Sequence, residues 1–479
     1  MNKMIIAIGL CVLSSLSDYA LANEGERPNI IIILADDLGY GDCGAFNPQS
    51  KIKTPHIDQL AEEGMSFTDA HSASTTCTPS RYGLLTGTNP CRTGVLNTLL
   101  KTGHPIIDAD EYTVADFLKS QNYQTHMVGK WHLGFEMDKT KNKKAFDLSQ
   151  DLLGGPVDCG FDYFYGVHSS VSASPMFYIK NRQAIGRPEV IVEADKINGS
   201  GKKSKFKIQL AQGMALENIS PDLCADAVRL IKEYAKSDQE QPFFLYYAST
   251  IPHQPWVPSA EFKGKSGLGV YADFVMQFDD EVGQINQALK DTGLDNNTIL
   301  IFTSDNGPGP GASRNMEEQG HGSTGILRGM KSDAWEGGHR VPFIAKWPHR
   351  IKAGTQNQAI INATDLFATF AALLKVNLAR LSPHAAPDSV SFLETLLDAD
   401  KKFKRPAMIN GRHAIRKGDW KLVSIAKHSD AAKLKPSDFK LFNLAEDISE
   451  KSELTQENPE RLSELYKEFI DFANERKLK

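Results

Sequence analysis

Cys77-Thr78-Pro79-Ser80-Arg81 combines a nucleophilic sulfur, a proline and a guanidinium within five residues. Proline is favoured in the opening turn of a helix, so Cys77 is expected just ahead of a helix N-terminus. That end presents backbone donors and a partial positive charge to an anion. Arg81 falls in the first turn, where its planar fork suits two oxygens of an oxyanion. Three further polar groups each follow an apolar run: Asp36-Asp37, Pro252-His253 and Ser304-Asp305-Asn306-Gly307. Asp36, Asp37, Asp305 and Asn306 are all oxygen donors, which suit a hard cation. Taken singly, the first pair also reads as capping residues and the last group as a turn.

Those apolar runs predict the elements that position these groups. Asn29-Ile30-Ile31-Ile32-Ile33-Leu34-Ala35 has no alternation, as expected for a strand buried on both faces of a parallel sheet. Phe243 to Tyr247 and Thr298 to Phe302 read the same way. Between them lies a helix with Phe274, Phe278, Val282, Ile285 and Leu289 on one stripe. A shorter helix follows Thr54 as N-cap, with Pro55 first and Gly64 as its stop. Strand, helix and strand make an α/β sheet, whose ligands bind beyond the carboxyl ends of the strands. Past about Val376 the pattern changes to short strands, Trp420 to Val423 and Phe439 to Phe442, and an amphipathic helix carrying Leu462, Leu465, Tyr466, Phe469 and Ile470. Residues 23–375 are therefore expected as a catalytic domain and 376–479 as a smaller α+β subdomain. The stretch from Gln183 to Ser220 reads as an inserted loop or hairpin bearing the basic run Lys202 to Lys207.

At 479 residues, 41% hydrophobic and 24% charged, the chain has an ordinary globular balance. Its net charge of −5 argues against a nucleic-acid binder. An anionic substrate must then be drawn by a local basic pocket. Residues 1–22 read as a signal peptide, with Lys3, a short apolar run and Ala20-Leu21-Ala22 as cleavage pattern. No later segment is long and apolar enough to span a membrane. The mature chain is expected in the periplasm or outside the cell. Cys11 leaves with the leader, so Cys43, Cys77, Cys91, Cys159 and Cys224 remain, an odd count that points to one special thiol. The other four could pair, in a way that spacing does not show, and are too sparse to frame the fold.

Cys77-Thr78-Pro79-Ser80-Arg81, running on to Thr86-Gly87, resembles the signature of the formylglycine-dependent sulfatases of the alkaline-phosphatase superfamily. The resemblance extends through Gly129-Lys130-Trp131-His132-Leu133-Gly134, Gly160-Phe161-Asp162, Leu327 to Lys331, Trp335 to Gly338 and Gly418-Asp419-Trp420-Lys421. It implies a mixed, mostly parallel sheet flanked by helices. It also implies conversion of Cys77 to formylglycine by a maturation enzyme, and covalent catalysis by the hydrated aldehyde. Asp36, Asp37, Asp305 and Asn306, with the modified Cys77, match the family's cation ligands. Calcium is implied, with magnesium not excluded by ligand type.

Also by resemblance, Lys130 and His132 flank the nucleophile, His253 faces the leaving oxygen and Lys331 clamps sulfate. His253 is expected as general acid and His132 as the base that regenerates the aldehyde. His168, Ser169, Arg314, His321 and the Lys202–Lys207 run lie in loops that are candidates to border the pocket, with His321 as a substrate contact; the lysine run reads first as a solvated hairpin and second as a grip on an anionic polysaccharide. The expected substrate is a sulfated carbohydrate, an algal galactan or a glycosaminoglycan fragment. Two rivals stand beside this reading: a phosphoester hydrolase of the same superfamily, and a non-catalytic module that binds sulfated glycans. Cys77, and lysines where ligands of a second metal would lie, speak against the first. The intact set of polar residues speaks against the second.

Overall fold

The run Asn29–Ala35 forms the middle of a ten-stranded sheet, with every residue buried. The computed structural model describes residues 27–98, 104–136, 146–197, 200, 202–238, 240–382, 384–410, 413–426 and 433–475. The expected signal peptide lies outside them. Side chains alternate across the central strand. Ile30, Ile32 and Leu34 enter one core, and Ile31, Ile33 and Ala35 the other. Each buried isoleucine contributes about 1.5–3 kcal/mol through apolar burial, which explains the lack of polar alternation.

Five neighbouring strands run parallel, in the spatial order Thr298–Ser304, Asn29–Ala35, Phe243–Ala248, Gln124–Lys130 and Tyr163–Val167. Phe343–Lys346 adds antiparallel on one side and Tyr178–Lys180 on the other. Helices Pro55–Glu63, Ile219–Ala235 and Val270–Asp291 bury their stripes in one core. Helices Cys77–Thr86, Val114–Ser120 and Asp365–Leu373 cover the other. The Pro55 helix is bounded by Thr54 and Gly64, as its sequence predicts.

Gly129 marks a close backbone approach inside the sheet. Its φ is +120°, and a Cβ there would lie 1.9 Å from the Ala248 carbonyl oxygen. Only glycine fits at this point, one residue before Lys130.

A second sheet of four antiparallel strands, Met408–Asn410, Ala414–Lys417, Trp420–Ser424 and Phe439–Asn443, carries the helix Pro459–Glu475 on its apolar face. The expected break at 376 falls earlier than this unit. Phe392 and Leu396 still belong to the core of the large sheet, so packing places the start of the small sheet at Met408.

Buried charges tie the two sheets together. Arg416 holds Asp69 at 2.6 Å, and Lys421 Nζ lies 2.8 Å from Glu336 Oε1. Both members of the Lys421–Glu336 pair are fully buried. Removing one partner of such a pair strands a charge, at about 3–5 kcal/mol. Lys421→Met is therefore expected to destabilise the protein by about 3 kcal/mol or more, read from denaturant unfolding. An unchanged midpoint would refute this role.

The cysteines bear on folding differently from the open expectation of pairing. All five described cysteines are free thiols, and Cys43, Cys77, Cys159 and Cys224 are buried. No helix among the described residues is long and apolar enough to cross a membrane.

Candidate active site

Four adjacent parallel strands deliver the polar residues to one edge. Ala35 leads into Asp36-Asp37, Gln124–Lys130 ends in Lys130, Phe243–Ala248 leads towards His253, and Thr298–Ser304 leads into Asp305-Asn306. The helix Cys77–Thr86 faces this edge. Cys77 is its first residue, with Thr76 as N-cap, rather than standing ahead of it. The Ser80 N–H donates to the Thr76 carbonyl at 3.1 Å and closes the first turn there.

The carboxylates of Asp36, Asp37 and Asp305 and the Cys77 sulfur lie within 4.8 Å of one another. Arg81 donates to Asp305 Oδ2 through Nε at 3.0 Å and Nη2 at 2.8 Å, and to the Lys130 carbonyl at 2.9 Å. Lys130 Nζ donates to both oxygens of Asp36, at 2.8 and 2.7 Å. Lys331 Nζ sits 2.5 Å from Asp37 Oδ1 and 3.1 Å from Cys77 Sγ. His253 Nε2 lies 3.7 Å from Asp37 Oδ2, and its Nδ1 meets the Gln254 carbonyl at 2.6 Å. Asp37 and His132 both hold left-handed backbone angles, φ 69° and 61°. Such angles disfavour non-glycine residues and concentrate at functional sites.

Burial shapes the titration of the cluster. It pushes the Cys77 thiol up to about 12, against the pull of Lys130 and Lys331. It opposes the Lys331 charge, yet Asp37, Cys77, Asp36 and Asp305 together lift that amine well above its ordinary value. It also opposes ionisation of Asp36, but Lys130, His253 and Arg81 hold that carboxyl far below the usual range. Burial raises Asp305 despite Arg81 and lowers His253 despite Asp37.

The donor set fits a hard divalent cation. Asn306 donates its Nδ2 to Asp37 at 2.8 Å, while its buried Oδ1 accepts no hydrogen bond. A buried acceptor left without a partner, on a residue bonded to Asp37, is what such an ion would satisfy. Asp36, Asp37, Asp305 and Asn306 would hold it, beside the side chain at 77. Three carboxylates and three cations (Arg81, Lys130 and Lys331) otherwise balance. A divalent ion would leave the site positive and able to attract an anion to a chain of net charge −5.

The side chains of other expected residues bond to groups outside the Asp36, Asp37 and Asp305 cluster. His321 is fully used within the protein: Nε2 meets Asp42 Oδ1 at 2.9 Å and Nδ1 accepts from the Lys51 N–H at 3.3 Å. His168 is buried between Phe146 and Phe177, with Nε2 on the Pro175 carbonyl. Arg314 pairs with Glu318. The expected hairpin is present as Pro188–Ile197 and Lys203–Ala211, but Lys205 and Lys207 face Asp195 and Glu193 across it, at 2.6 and 3.7 Å. Sequence reasoning missed Gln254, whose amide grips both the N–H and the carbonyl of Ile197, at 2.9 and 2.7 Å. This clamp anchors the hairpin beside His253, through a contact with no local sequence signal.

The sulfatase family profile matches residues 28–376. The chain belongs to the sulfatase family. This sulfatase is 35% identical to an N-acetylgalactosamine-6-O-sulfatase of Bacteroides thetaiotaomicron, over 95% of its own length and 96% of that protein. It is 33% identical to human arylsulfatase A, over 84% and 76% of the two chains. A solved sulfatase from work on metabolism of multiple glycosaminoglycans by Bacteroides thetaiotaomicron superposes with a TM-score of 0.79. It is 34% identical, and the match covers 94% of this chain and 100% of that one. The sulfatase is accordingly a sulfuric ester hydrolase on an alkaline-phosphatase-like fold.

Proposed function

We propose that this sulfatase uses Cys77, oxidised to formylglycine by a separate maturation enzyme, to hydrolyse sulfate esters of carbohydrates. The observation that carries the reading is the buried cluster itself: Cys77 at a helix N-terminus, 3.1 Å from Lys331 and among three carboxylates. As encoded, the thiol is a poor nucleophile, because burial keeps it protonated at neutral pH. That accords with a precursor role.

A bound divalent ion, calcium by family resemblance, would supply Lewis-acid stabilisation of charge on the reacting oxygens. The protein groups do the rest. The hydrated aldehyde at 77 presents two hydroxyls. One oxygen attacks sulfur as the S–O bond to the alcohol breaks, and His253 gives the departing oxygen its proton. Lys331 and Lys130 hold the sulfate charge through donors aimed at its oxygens. The second hydroxyl then loses its proton, for which His132 is the assigned base. Its electron pair reforms the carbonyl as sulfate leaves, and water rehydrates the aldehyde. Arg81, fixed by Asp305, keeps the helix turn and the carboxylates in register.

The relatives favour a glycosaminoglycan-type substrate over an algal galactan, and sulfate on the 6-position of N-acetylgalactosamine as the first ester to test. The leader-like start of the sequence supports export to the periplasm or beyond the cell. The test is sulfate release by matured protein from 6-sulfated N-acetylgalactosamine, beside an aryl phosphate. Turnover of the sulfate ester with at least hundredfold preference over the phosphate is expected. The reverse preference would favour the phosphoester hydrolase.

A further inference from the structure

His253 stands in a turn whose shape is set by its neighbours rather than by a helix or strand. The turn follows the strand Phe243–Ala248 and is tied to the site by the Asp36 N–H, which donates to the Ile251 carbonyl at 3.1 Å. Trp256 closes it from the far side, its indole N–H donating to the Pro252 carbonyl at 2.9 Å. Pro252 and Pro255 fix their own φ, so His253 and Gln254 are the two residues between them that need a further restraint. The His253 ring supplies one. Its Nδ1 lies 2.6 Å from the Gln254 carbonyl, which can only accept. Nδ1 therefore carries a hydrogen, and Nε2, 3.7 Å from Asp37 Oδ2, is the atom left for proton transfer.

Gln254 supplies the other restraint. Its side-chain Oε1 accepts from the Ile197 N–H at 2.9 Å, and its Nε2 donates to the Ile197 carbonyl at 2.7 Å. One amide thus pairs with both polar backbone groups of one residue, as a neighbouring strand would. Ile197 ends the first strand of the hairpin Pro188–Ile197 and Lys203–Ala211, and its side chain packs against a core of the large sheet. The helix Pro310–Glu318 backs the same point. A Cβ on Gly311 would lie 2.2 Å from the Ile197 carbonyl oxygen and 2.6 Å from Gln254 Nε2. A Cβ on Gly309, which caps that helix, would lie 3.2 Å from Asp37 Oδ2. Hairpin, helix and turn meet around one amide, beside the carboxylate that His253 faces.

The base of the hairpin is fixed elsewhere. The Met176 N–H donates to the Gln209 carbonyl at 2.8 Å, and the Met176 carbonyl accepts from the Ala211 N–H at 2.9 Å. From Pro188 to Ile197 the strand spans about 30 Å, and a two-stranded hairpin is marginal on its own. Its end is held by the very residue whose carbonyl orients the His253 ring.

We infer that Gln254 is a positioning residue for the proton donor. Its clamp on Ile197 fixes the peptide plane whose carbonyl orients His253, so the hairpin braces Nε2 towards the leaving oxygen. This rests on the sulfatase reading above, with His253 as the acid. It gives the hairpin a part in the chemical step, separate from any hold on the glycan.

The test measures kcat and KM for 6-sulfated N-acetylgalactosamine and for 4-nitrophenyl sulfate, whose leaving group needs little help from an acid. The proteins are matured wild type, Gln254→Ala, Gly311→Ala, His253→Ala and the double variant His253→Ala/Gln254→Ala. Gly311→Ala keeps every hydrogen-bonding group and displaces the clamp by crowding alone. A small misplacement of a catalytic group can cost about a hundredfold. In Gln254→Ala, kcat on the sugar sulfate is expected to fall about ten- to a hundredfold, with KM and the 4-nitrophenyl sulfate rate within about threefold of wild type. Gly311→Ala should show the same split, at least about fivefold, and decides alone if Gln254→Ala does not fold. In the His253→Ala background, adding Gln254→Ala should lower kcat by less than about threefold, because a residue that acts through His253 has nothing left to position. Equal losses on both esters, or a full loss in the His253→Ala background, would overturn the assignment and leave Gln254 as a brace for the hairpin alone. Matured wild type inert towards both esters would overturn the sulfatase reading, and this assignment with it.

Discussion

Cys77→Ala is expected to lower kcat at least about ten-thousand-fold on any sulfate ester, because it removes the only covalent route the site offers. Folding should persist. Cys77 is fully buried, its sulfur 3.9 Å from Asp37 Oδ1 and 3.1 Å from Lys331 Nζ, and Lys331 keeps its ion pair with Asp37 when the sulfur is removed. Losing one sulfur atom costs on the order of 1 kcal/mol of packing. Near-wild-type thermal unfolding with no turnover is the expected pair of results. Cys77→Ser sharpens the test. A single hydroxyl can attack sulfur but has no second hydroxyl from which to expel sulfate. One equivalent of alcohol should be released and the protein should gain about 80 Da as a stable sulfate ester. Sustained turnover by either variant would refute the mechanism.

His253→Ala is the second large effect, and its size should depend on the leaving group. A sugar alkoxide is a strong base, so its departure needs a proton in the transition state, and a positioned acid contributes about 10²–10⁴-fold. With a sugar sulfate, kcat should fall by that range. With 4-nitrophenyl sulfate, whose phenolate leaves readily, the loss should stay below about tenfold. The location supports this role. His253 is held by the Gln254 carbonyl at 2.6 Å and stands 3.7 Å from Asp37, on the open side of the carboxylate cluster. Equal losses on both esters would instead make it a binding or positioning residue.

The central sheet was legible because its strands are buried on both faces. Ile30 to Leu34 form an unbroken apolar run that ends abruptly at Asp36, and the change of residue type marks the strand's carboxyl end. The same logic located His253 and Asp305. Lys130 was named only through family resemblance. Its strand, Gln124–Lys130, contains His126, Gly129 and partly buried positions, so it lacks a clean pattern. The ring partner of His321, Asp42, lies 279 residues earlier in the chain. No local spacing reveals such a contact. The lysine run looked like a free basic patch, yet antiparallel register sets Asp195 opposite Lys205 and Glu193 opposite Lys207. The seam between the sheets depends on Arg416 and Asp69, 347 positions apart. Phe392 and Leu396, beyond the break expected at 376, still fill the larger core.

The most direct measurement is the mass of the peptide containing Cys77, taken from the same preparation whose sulfate release is assayed. Converting the thiol to an aldehyde makes it about 18 Da lighter, and activity should scale with the converted fraction. A fully active preparation in which Cys77 remains an unmodified thiol would contradict the account.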